Sequence, residues 1–234
     1  MPSPDDHRSR TAARRRGQTR GRLIEAAVVV FARDGADSAL IERVVQHAGL
    51  ARGSFYNHFR STQELLAAAR QVLLADVVAL ILDRTAHLAD PAERAAAGLG
   101  LFLHLLSDYP VLARFTRNLG LDADGPAQVV EALLTPALAQ GVASGRFADA
   151  PPRVLAGLLS GAVLAHVLCT TGDAAAAGAR PHLVAALLRA FGIAAPEAAA
   201  LAARDHGALV APEGSLLART RTTDSTDTAE DTAP

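Results

Sequence analysis

The segment from residue 41 to residue 59 contains two short helical patterns separated by one glycine. In the first pattern, apolar side chains recur three and four positions apart and share one helix face: Ile41, Val44, Val45 and Ala48. Gly49 then suits a turn with positive φ, which is strained for residues that carry a Cβ. A supporting helix, a tight turn and a second helix make a helix-turn-helix, so the segment predicts a structure that offers its second helix to DNA.

The second pattern, residues 50–59, divides into an apolar face and a polar face. Leu50, Phe55 and Phe59 can fix this helix to a core. The other face carries guanidinium, hydroxyl, amide and imidazole groups, which are the donors that contact bases and phosphates. The candidate DNA contacts are Arg52, Gly53, Ser54, Tyr56, Asn57 and His58. Taken singly, each fits a solvated helix face better, and it is their place in the motif that favours DNA.

Residues 19–66 complete a predicted DNA-binding domain around this motif. Upstream, an apolar helix ends where Gly35 can adopt the left-handed cap conformation. The next helix needs a polar N-cap, for which Asp37 and Ser38 are the candidates. Downstream, the sequence Ser-Thr-Gln-Glu at 61–64 is a capping box that opens a further helix. The domain is therefore predicted to hold three helices and the start of a fourth.

This stretch resembles the DNA-binding domain of the TetR family of bacterial transcription regulators. The residues that carry the resemblance are Ala26-Ala27, Phe31, Gly35, Val44, Ala48-Gly49-Leu50, Gly53, Phe55-Tyr56, His58-Phe59 and Glu64-Leu65-Leu66. The resemblance implies that the second helix is a recognition helix. It further implies that Arg52, Ser54 and Asn57 contact base edges or the groove, and that Tyr56 and His58 contact phosphates.

Three positions depart from the family pattern. Thr62, the last predicted DNA contact, stands where the family usually carries a lysine that touches phosphate, although Arg60 nearby supplies a positive charge. Ala51 replaces the serine or threonine that often begins the recognition helix. Ala39-Leu40 replace a Thr/Ser pair that usually begins the helix before it. The scaffold therefore matches the family better than the contact set does.

Charge is distributed unevenly along the chain. Residues 1–62 hold eleven Arg against six Asp and Glu, a balance of +5, whereas residues 63–234 hold twelve against eighteen, a balance of −6. Nucleic-acid affinity depends on local charge, and the positive part is the part that holds the motif. Residues 1–18 are rich in Arg and poor in apolar side chains, which predicts a disordered arm in the absence of DNA. This arm either contacts DNA or only raises nonspecific affinity.

The rest of the chain predicts helices and no strand, so the predicted fold class is all-α. The resemblance implies that the helical domain at 67–210 binds a ligand and forms a dimer. Proline stands near helix starts and glycine near helix ends. The predicted helices cover 62–88, 91–108, 110–119, 126–144, 152–171, 180–191 and, more weakly, 196–206. Residues 211–234 are predicted to be a disordered tail, because they are rich in Thr, Asp and Ala.

The resemblance also implies a small-molecule pocket among the middle helices and a homodimer built from the last two long ones. The helix at 152–171 offers small residues to a partner, and the helix at 180–191 offers apolar ones: Gly157, Ser160, Gly161 and Ala165, then Leu183, Val184, Leu187, Leu188 and Phe191. The candidate pocket residues are Phe102, His104, Leu105, Tyr109, Phe115, Thr116, Asn118 and His166. They are apolar with a few polar groups, as pockets are, but so is any helical core.

Catalytic, metal-binding and membrane readings are weaker. The zinc-protease, nucleotide-binding, hydrolase and Cys-x-x-Cys motifs do not occur, so we expect no enzyme activity, no cofactor and no metal. Asp122-x-Asp124-Gly125 lacks the remaining ligands of a calcium loop. The stretch 154–169 carries no charged residue, but it is shorter than the ~20 residues of a span. One cysteine and no secretory signal predict a reducing cytoplasm.

The leading hypothesis is a ligand-responsive regulator, usually a repressor in the family, that binds a palindromic DNA site as a homodimer. A second hypothesis is a helical small-molecule binder or enzyme with a vestigial helix-turn-helix. A third is a nonspecific nucleic-acid protein that acts through its arginine-rich arm.

Overall fold

The computed structural model describes residues 4–120, 128–170 and 176–220. Within these ranges the long regular elements are all helices, as the sequence predicts. They are α1 (Pro4–Asp34), α2 (Leu40–His47), α3 (Arg52–Tyr56), α4 (Thr62–Thr85), α5 (Pro91–Asp108), α6 (Pro110–Leu119), α7 (Gln128–Ala143), α8 (Pro152–Thr170), α9 (Ala176–Ala190) and α10 (Ala195–Ala202).

The first three helices and the start of α4 enclose the core of the N-terminal domain. The C-terminal half of α1 buries nearly every side chain from Leu23 to Ala32. Phe55 of α3 and Phe59 of the following turn are also buried, with ring centroids 6.0 Å apart. Aromatic packing of this kind adds to area burial, and it fixes α3 although this helix has only five residues.

α4 joins the two domains as one continuous helix. Ser61 Oγ accepts a hydrogen bond from the Glu64 amide at 3.1 Å, and the Glu64 carboxylate accepts one from the Arg60 amide at 2.7 Å. This reciprocal capping confirms the predicted helix start. From there α4 runs for 24 residues. The predicted domain boundary at residue 66 therefore lies inside a helix, so a movement at one end of α4 reaches the other domain.

The helices of the second domain agree closely with those predicted from proline and glycine. Pro91 and Pro110 begin α5 and α6, where a missing N–H is harmless. Pro181 differs, because it lies inside α9, five residues after the helix begins. The apolar side chains of α9 also differ from the prediction. Val184, Leu187 and Phe191 are buried in the core of their own protomer, so they are not available to a second subunit.

The structure corrects the predicted disorder at both ends of the chain. Residues 4–18, predicted to be a disordered arm, form the first half of α1. Arg, Ala and Gln have high helix propensity, so α1 extends beyond its buried half. Residues 211–220, assigned to a disordered tail, pack on the body instead, with Leu216 and Leu217 buried. Residues 1–3 and 221–234 lie outside the described residues.

The C-terminal segment 204–220 crosses from the second domain to the first. Arg204 pairs with Glu93 of α5, and the Ala211 amide donates to the Tyr109 hydroxyl at 2.9 Å. Further along, the Leu216 amide donates to a carboxylate of α4, and Arg219 pairs with Glu25 of α1 at 2.8 Å. The segment therefore braces α1, α4 and α5 against one another.

Candidate nucleic-acid interface and internal cavity

The turn between α2 and α3 has the predicted geometry. Gly49 adopts a positive φ of 60°, and the Leu50 amide reaches back to the carbonyl of Val45 at 2.9 Å. The guanidinium of Arg22 on α1 donates to the carbonyl of Ala48. α1 thus holds the turn from outside, and the orientation of α3 depends on α1.

The start of α2 is anchored by charge in place of a conventional cap. Its N-cap position is Ala39, which has no side-chain hydrogen bond. Asp37 accepts a hydrogen bond from the Ala39 amide at 2.9 Å and forms an ion pair with Arg43 at 2.8 Å. The hydrogen bond from Arg43 is the main reason that the pKa of Asp37 lies below its usual value. Asp37, one of the two predicted caps, therefore stabilises the turn before α2.

α3 presents its polar side chains to solvent. Arg52 is 63% exposed and Tyr56 is 55% exposed. Arg52 pairs with Glu42 of α2 at 3.3 Å, and the Tyr56 hydroxyl and then Glu42 raise the pKa of its guanidinium. Gly53 faces open space, since a Cβ built there would meet no atom within 4 Å. Arg52 is therefore oriented at the front of the helix before any partner arrives.

The remaining predicted contacts surround the end of α3. The helix ends at Tyr56, so Asn57 is its C-cap and His58 lies in the turn beyond. Ser54, His58 and Thr62 are half-buried, whereas Asn57 is exposed. Burial, and then the positive charges of Arg16 and Arg20, lower the pKa of His58. The seven predicted residues thus belong to α3, to the short connection after it and, for Thr62, to the first position of α4.

A cavity of about 320 Å³ lies between α4, α5, α6, α7 and α8. Its lining is mostly apolar and aromatic, with a few polar side chains and, among the described residues, no carboxylate. Representative apolar lining residues are Leu73, Val78, Ile81, Leu99, Leu138 and Val163, and the polar ones are Arg70, Thr85, Arg94, Thr116 and Ser160. Arg94 already donates to the carbonyl of Leu88 and to the side-chain oxygen of Gln140. A cavity of this size and polarity suits a small organic molecule.

Three of the eight residues predicted to line a pocket lie at this cavity. Phe102, Phe115 and Thr116 line the cavity. The others are not part of the lining as the structure describes it: His104, Leu105, Tyr109, Asn118 and His166. Helical periodicity identifies a buried face without showing which buried face meets empty space. For the same reason it misses the contributions of α4 and α8.

Two of the five predicted residues that lie outside the lining form hydrogen bonds elsewhere. Tyr109 accepts the hydrogen bond from the Ala211 amide and is buried. Asn118 donates its side-chain amide to the carbonyl of Phe31 at 2.7 Å and to that of Ala32 at 3.2 Å. Both therefore stabilise contacts between elements and do not face the cavity.

α6 lies between the cavity and the DNA-binding domain. Leu112, Phe115 and Thr116 face the cavity. Phe115 also meets Phe31 of α1 edge to face, with ring centroids 5.2 Å apart and planes at 73°. Phe115 therefore contacts both the cavity and α1, the helix that packs against the helix-turn-helix.

Two models of protein families match this chain. The model for bacterial regulatory proteins of the tetR family matches residues 23–69, and the model for the tetracyclin repressor-like C-terminal domain matches residues 90–204. Together they cover more than two thirds of the chain. The chain belongs to the TetR family. It is a DNA-binding transcriptional regulator and not an enzyme.

Individual relatives agree with this assignment. The chain is 37% identical over 60 residues to the HTH-type transcriptional regulator SrpR of Pseudomonas putida, over 26% of this chain and 28% of SrpR. It is 32% identical over 84 residues to the transcriptional repressor KstR2 of Mycobacterium tuberculosis, over 36% of this chain and 40% of KstR2. These matches therefore span less than half of either relative.

Solved structures extend the similarity to the second domain. A complex of RolR with resorcinol is 26% identical, covers 85% of this chain and all of that one, and has a TM-score of 0.66. FadR of Bacillus subtilis with stearoyl-CoA is 18% identical, covers 74% of this chain and 98% of that one, and has a TM-score of 0.59, which supports the shared fold alone.

The structure bears differently on a metal site and on a membrane span. No group of three or more His, Cys, Asp or Glu side chains is placed to hold a metal ion within 4–120, 128–170 and 176–220. The motif Asp122-x-Asp124-Gly125 lies outside the described residues. In the part of the chain that the structure describes, two helical stretches, Thr62–Thr85 and Pro152–Cys169, are long and apolar enough to span a membrane by length and composition. The bent pair of α5 and α6 would be a third if it formed one span. The first of these stretches is α4, which links the two domains.

Proposed function

We propose that this protein is an effector-responsive transcriptional repressor that binds a palindromic DNA site as a homodimer in the cytoplasm. The observation that carries the proposal is the position of Phe115, which contacts both the cavity and α1. An effector that fills the cavity presses on α6, and α6 displaces α1 and with it α3. The differential affinity of the effector for the two arrangements sets the size of the response.

The homodimer accounts for the exposed apolar face of α8. Val154, Leu158 and Leu168 are 49%, 47% and 57% exposed. They occur with Gly161 and Ala165 at intervals of four, three, four and three residues, which is the spacing of a helix–helix seam. Exposed apolar stripes of this kind mark contact surfaces. The same face of a second copy is complementary to it under a two-fold axis.

The effector we propose is small, largely apolar and rich in hydrogen-bond acceptors. The cavity of about 320 Å³ sets its size. The guanidinium of Arg70 and the hydroxyl of Thr116 are polar groups of the lining that can orient it, whereas the Ser160 hydroxyl already donates to the Ala156 carbonyl at 2.9 Å. A lining without carboxylates disfavours amines, because a buried cation needs a partner. The related RolR structure holds resorcinol, a molecule of this general kind.

The proposal is tested by selection from a pool of random duplexes, with the mass of the protein measured in solution. We expect a palindromic sequence whose half-sites lie about 34–36 Å apart or a multiple of that spacing, and a mass of two chains. Recovery of no common sequence, or a one-chain mass at micromolar concentration, would contradict it.

The effector class is tested separately by thermal unfolding. Small phenols and carboxylic acids are expected to raise the melting temperature, since a ligand that binds only the folded state stabilises it. Amines of the same size serve as the matched control and are expected to have no effect. A rise with amines alone would overturn the assignment of the cavity.

A further inference from the structure

α1 is much longer than the core that it supports. It has 31 residues, of which nearly all from Leu23 to Ala32 are buried while residues 10–18 and 20–22 are exposed. The match to the tetR-family model begins only at residue 23. The segment 10–22, which we call the α1 arm, thus adds more than three helical turns outside the matched domain.

The α1 arm is strongly basic. Its thirteen residues hold six arginines and no acidic residue. Because α1 is helical throughout this segment, these charges have fixed directions, unlike those of a flexible tail. A rigid basic surface beside a recognition helix is complementary to the regularly spaced phosphates of duplex DNA.

The base of the arm is fixed to the helix-turn-helix on two sides. Arg22 donates to the carbonyl of Ala48, at the turn between α2 and α3. Arg20 lies over the ring of Phe59, with its guanidinium carbon 5.1 Å from the ring centroid. These contacts set the direction of the arm relative to α3.

Two arginines of the arm lie near His58, one of the predicted phosphate contacts. Arg16 and Arg20 are one helical turn apart, so they share a face. Both lie close enough to His58 for their charges to lower its pKa. Arg10 and Arg14 form a second pair with the same spacing, turned by about 120° around the helix axis.

We propose that the α1 arm is a rigid helical extension of the DNA-binding surface, and that Arg16 and Arg20 contact the phosphate backbone beside α3. This inference rests on the proposed function, since it requires the duplex to lie against α3. Phosphate contacts position a protein without reading bases. The arm therefore lengthens the site on DNA and adds affinity for any sequence.

The test compares Arg16→Gln/Arg20→Gln with Arg10→Gln/Arg14→Gln, two variants that lose the same charge from the same helix. The probes are the duplex recovered by selection and a scrambled duplex of equal length, measured between 50 and 200 mM salt. For the first variant we expect the slope of log Kd against log salt to fall by about 1.8 on both probes, since each phosphate contact contributes about 0.9. The second variant is expected to change the slope by less than half as much.

Equal slopes for the native protein and Arg16→Gln/Arg20→Gln, or equal losses in the two variants, would overturn the inference. Arg16→Gln alone, which leaves the contact with Phe59 intact, is expected to lower the slope by about 0.9, and it replaces the double variant if that one unfolds. If selection recovers no sequence, the proposed function fails, but the scrambled duplex still tests the arm.

A further variant separates a rigid arm from a flexible one. A Cβ at Gly17 or Gly21 would meet no atom within 4 Å, so Gly17→Ala/Gly21→Ala stiffens the helix without a clash. A rigid arm predicts unchanged or tighter binding to both probes. Binding weakened severalfold would show that the arm must unfold on DNA and would contradict the inference.

Discussion

The side chain of Asn118 holds the end of α1 through the backbone of Phe31. Its amide nitrogen lies 2.7 Å from the Phe31 carbonyl oxygen and 3.2 Å from that of Ala32. The last carbonyls of a helix have no partner within the helix. The Phe31 carbonyl accepts from the Gly35 amide at 2.9 Å, and the Asn118 side chain from α6 adds a donor to it and to the Ala32 carbonyl. The DNA-binding domain and the cavity domain are therefore joined by hydrogen bonds as well as by apolar packing.

Asn118→Ala is expected to destabilise this junction. The substitution removes the donor of the part-buried Ala32 carbonyl and the second donor of the Phe31 carbonyl, which costs about 1–3 kcal/mol in the free energy of unfolding. Urea unfolding checks the value. Asn118→Asp keeps the shape and removes the donor, so it should lose at least as much at pH 7. Stability equal to that of the native protein in both variants would show that the bond contributes nothing.

Tyr109→Phe tests the C-terminal segment 204–220. The change removes one oxygen and leaves the buried Ala211 amide without its acceptor, so unfolding should become easier by about 1–3 kcal/mol. Since Tyr109 does not line the cavity, the affinity for any effector should stay the same. Weaker effector binding with unchanged stability would reverse both assignments.

Substitutions of Tyr56 and Arg52 are expected to weaken DNA binding in different ways. Tyr56→Ala should weaken binding to all duplexes by a similar factor, because it removes the phosphate contact predicted for this residue. Arg52→Ala should relax the preference for one base pair, which corresponds to about 1–3 kcal/mol of discrimination. Binding curves on single-base variants of the selected duplex distinguish the two. Native binding in both variants would exclude α3 from the interface.

Glu42→Gln should strengthen DNA binding. Glu42 pairs with Arg52 at 3.3 Å, and it places a negative charge where phosphates approach. An exposed ion pair contributes only about 0–1 kcal/mol to stability, so the melting temperature should hardly change while Kd falls. An increased Kd would show that Glu42 is needed to orient Arg52 for DNA.

DNA affinity should rise as the pH falls from 8 towards 6 because of His58. In the free protein its pKa is lowered by burial and by Arg16 and Arg20, so it is neutral at pH 7. A neighbouring phosphate raises that pKa, binding takes up a proton, and the gain is lost as the pH rises through the pKa of the bound state. His58→Asn should flatten the pH profile. The stability of the free protein depends on His58 in the opposite direction. The stability that neutral His58 contributes is present at higher pH and is lost as the pH falls below about 6.5.

The sequence predicts much of this fold because its helices are separated by residues with strong local preferences. Pro91 and Pro110 begin helices and Gly35 and Gly49 adopt positive φ, all of which depends on neighbouring residues alone. The prediction that a helix begins near Pro181 is wrong, because α9 begins ahead of this residue in a stretch whose sequence indicates a helix only weakly. The prediction of disorder is also wrong for residues 4–18, because a polar composition indicates the lack of a core and not the lack of a helix.

The residues of the candidate site also divide into those that a local pattern predicts and those that only the tertiary fold places. The exposure of Tyr56 and Arg52 could be predicted, because an exposed polar face next to a buried aromatic pair is a local pattern. Asn118 and Tyr109 could not be placed, because their partners, Phe31 and Ala211, are distant in sequence and only the tertiary fold brings them together.

The affinity of the native protein for the selected duplex, relative to a scrambled duplex at the same salt concentration, tests the central claim most directly. The account predicts a preference of roughly a thousandfold or more, as specific DNA-binding proteins show. It also predicts a stoichiometry of two chains for each duplex. Equal affinity for the two duplexes would contradict it and would leave only nonspecific binding through the arginines.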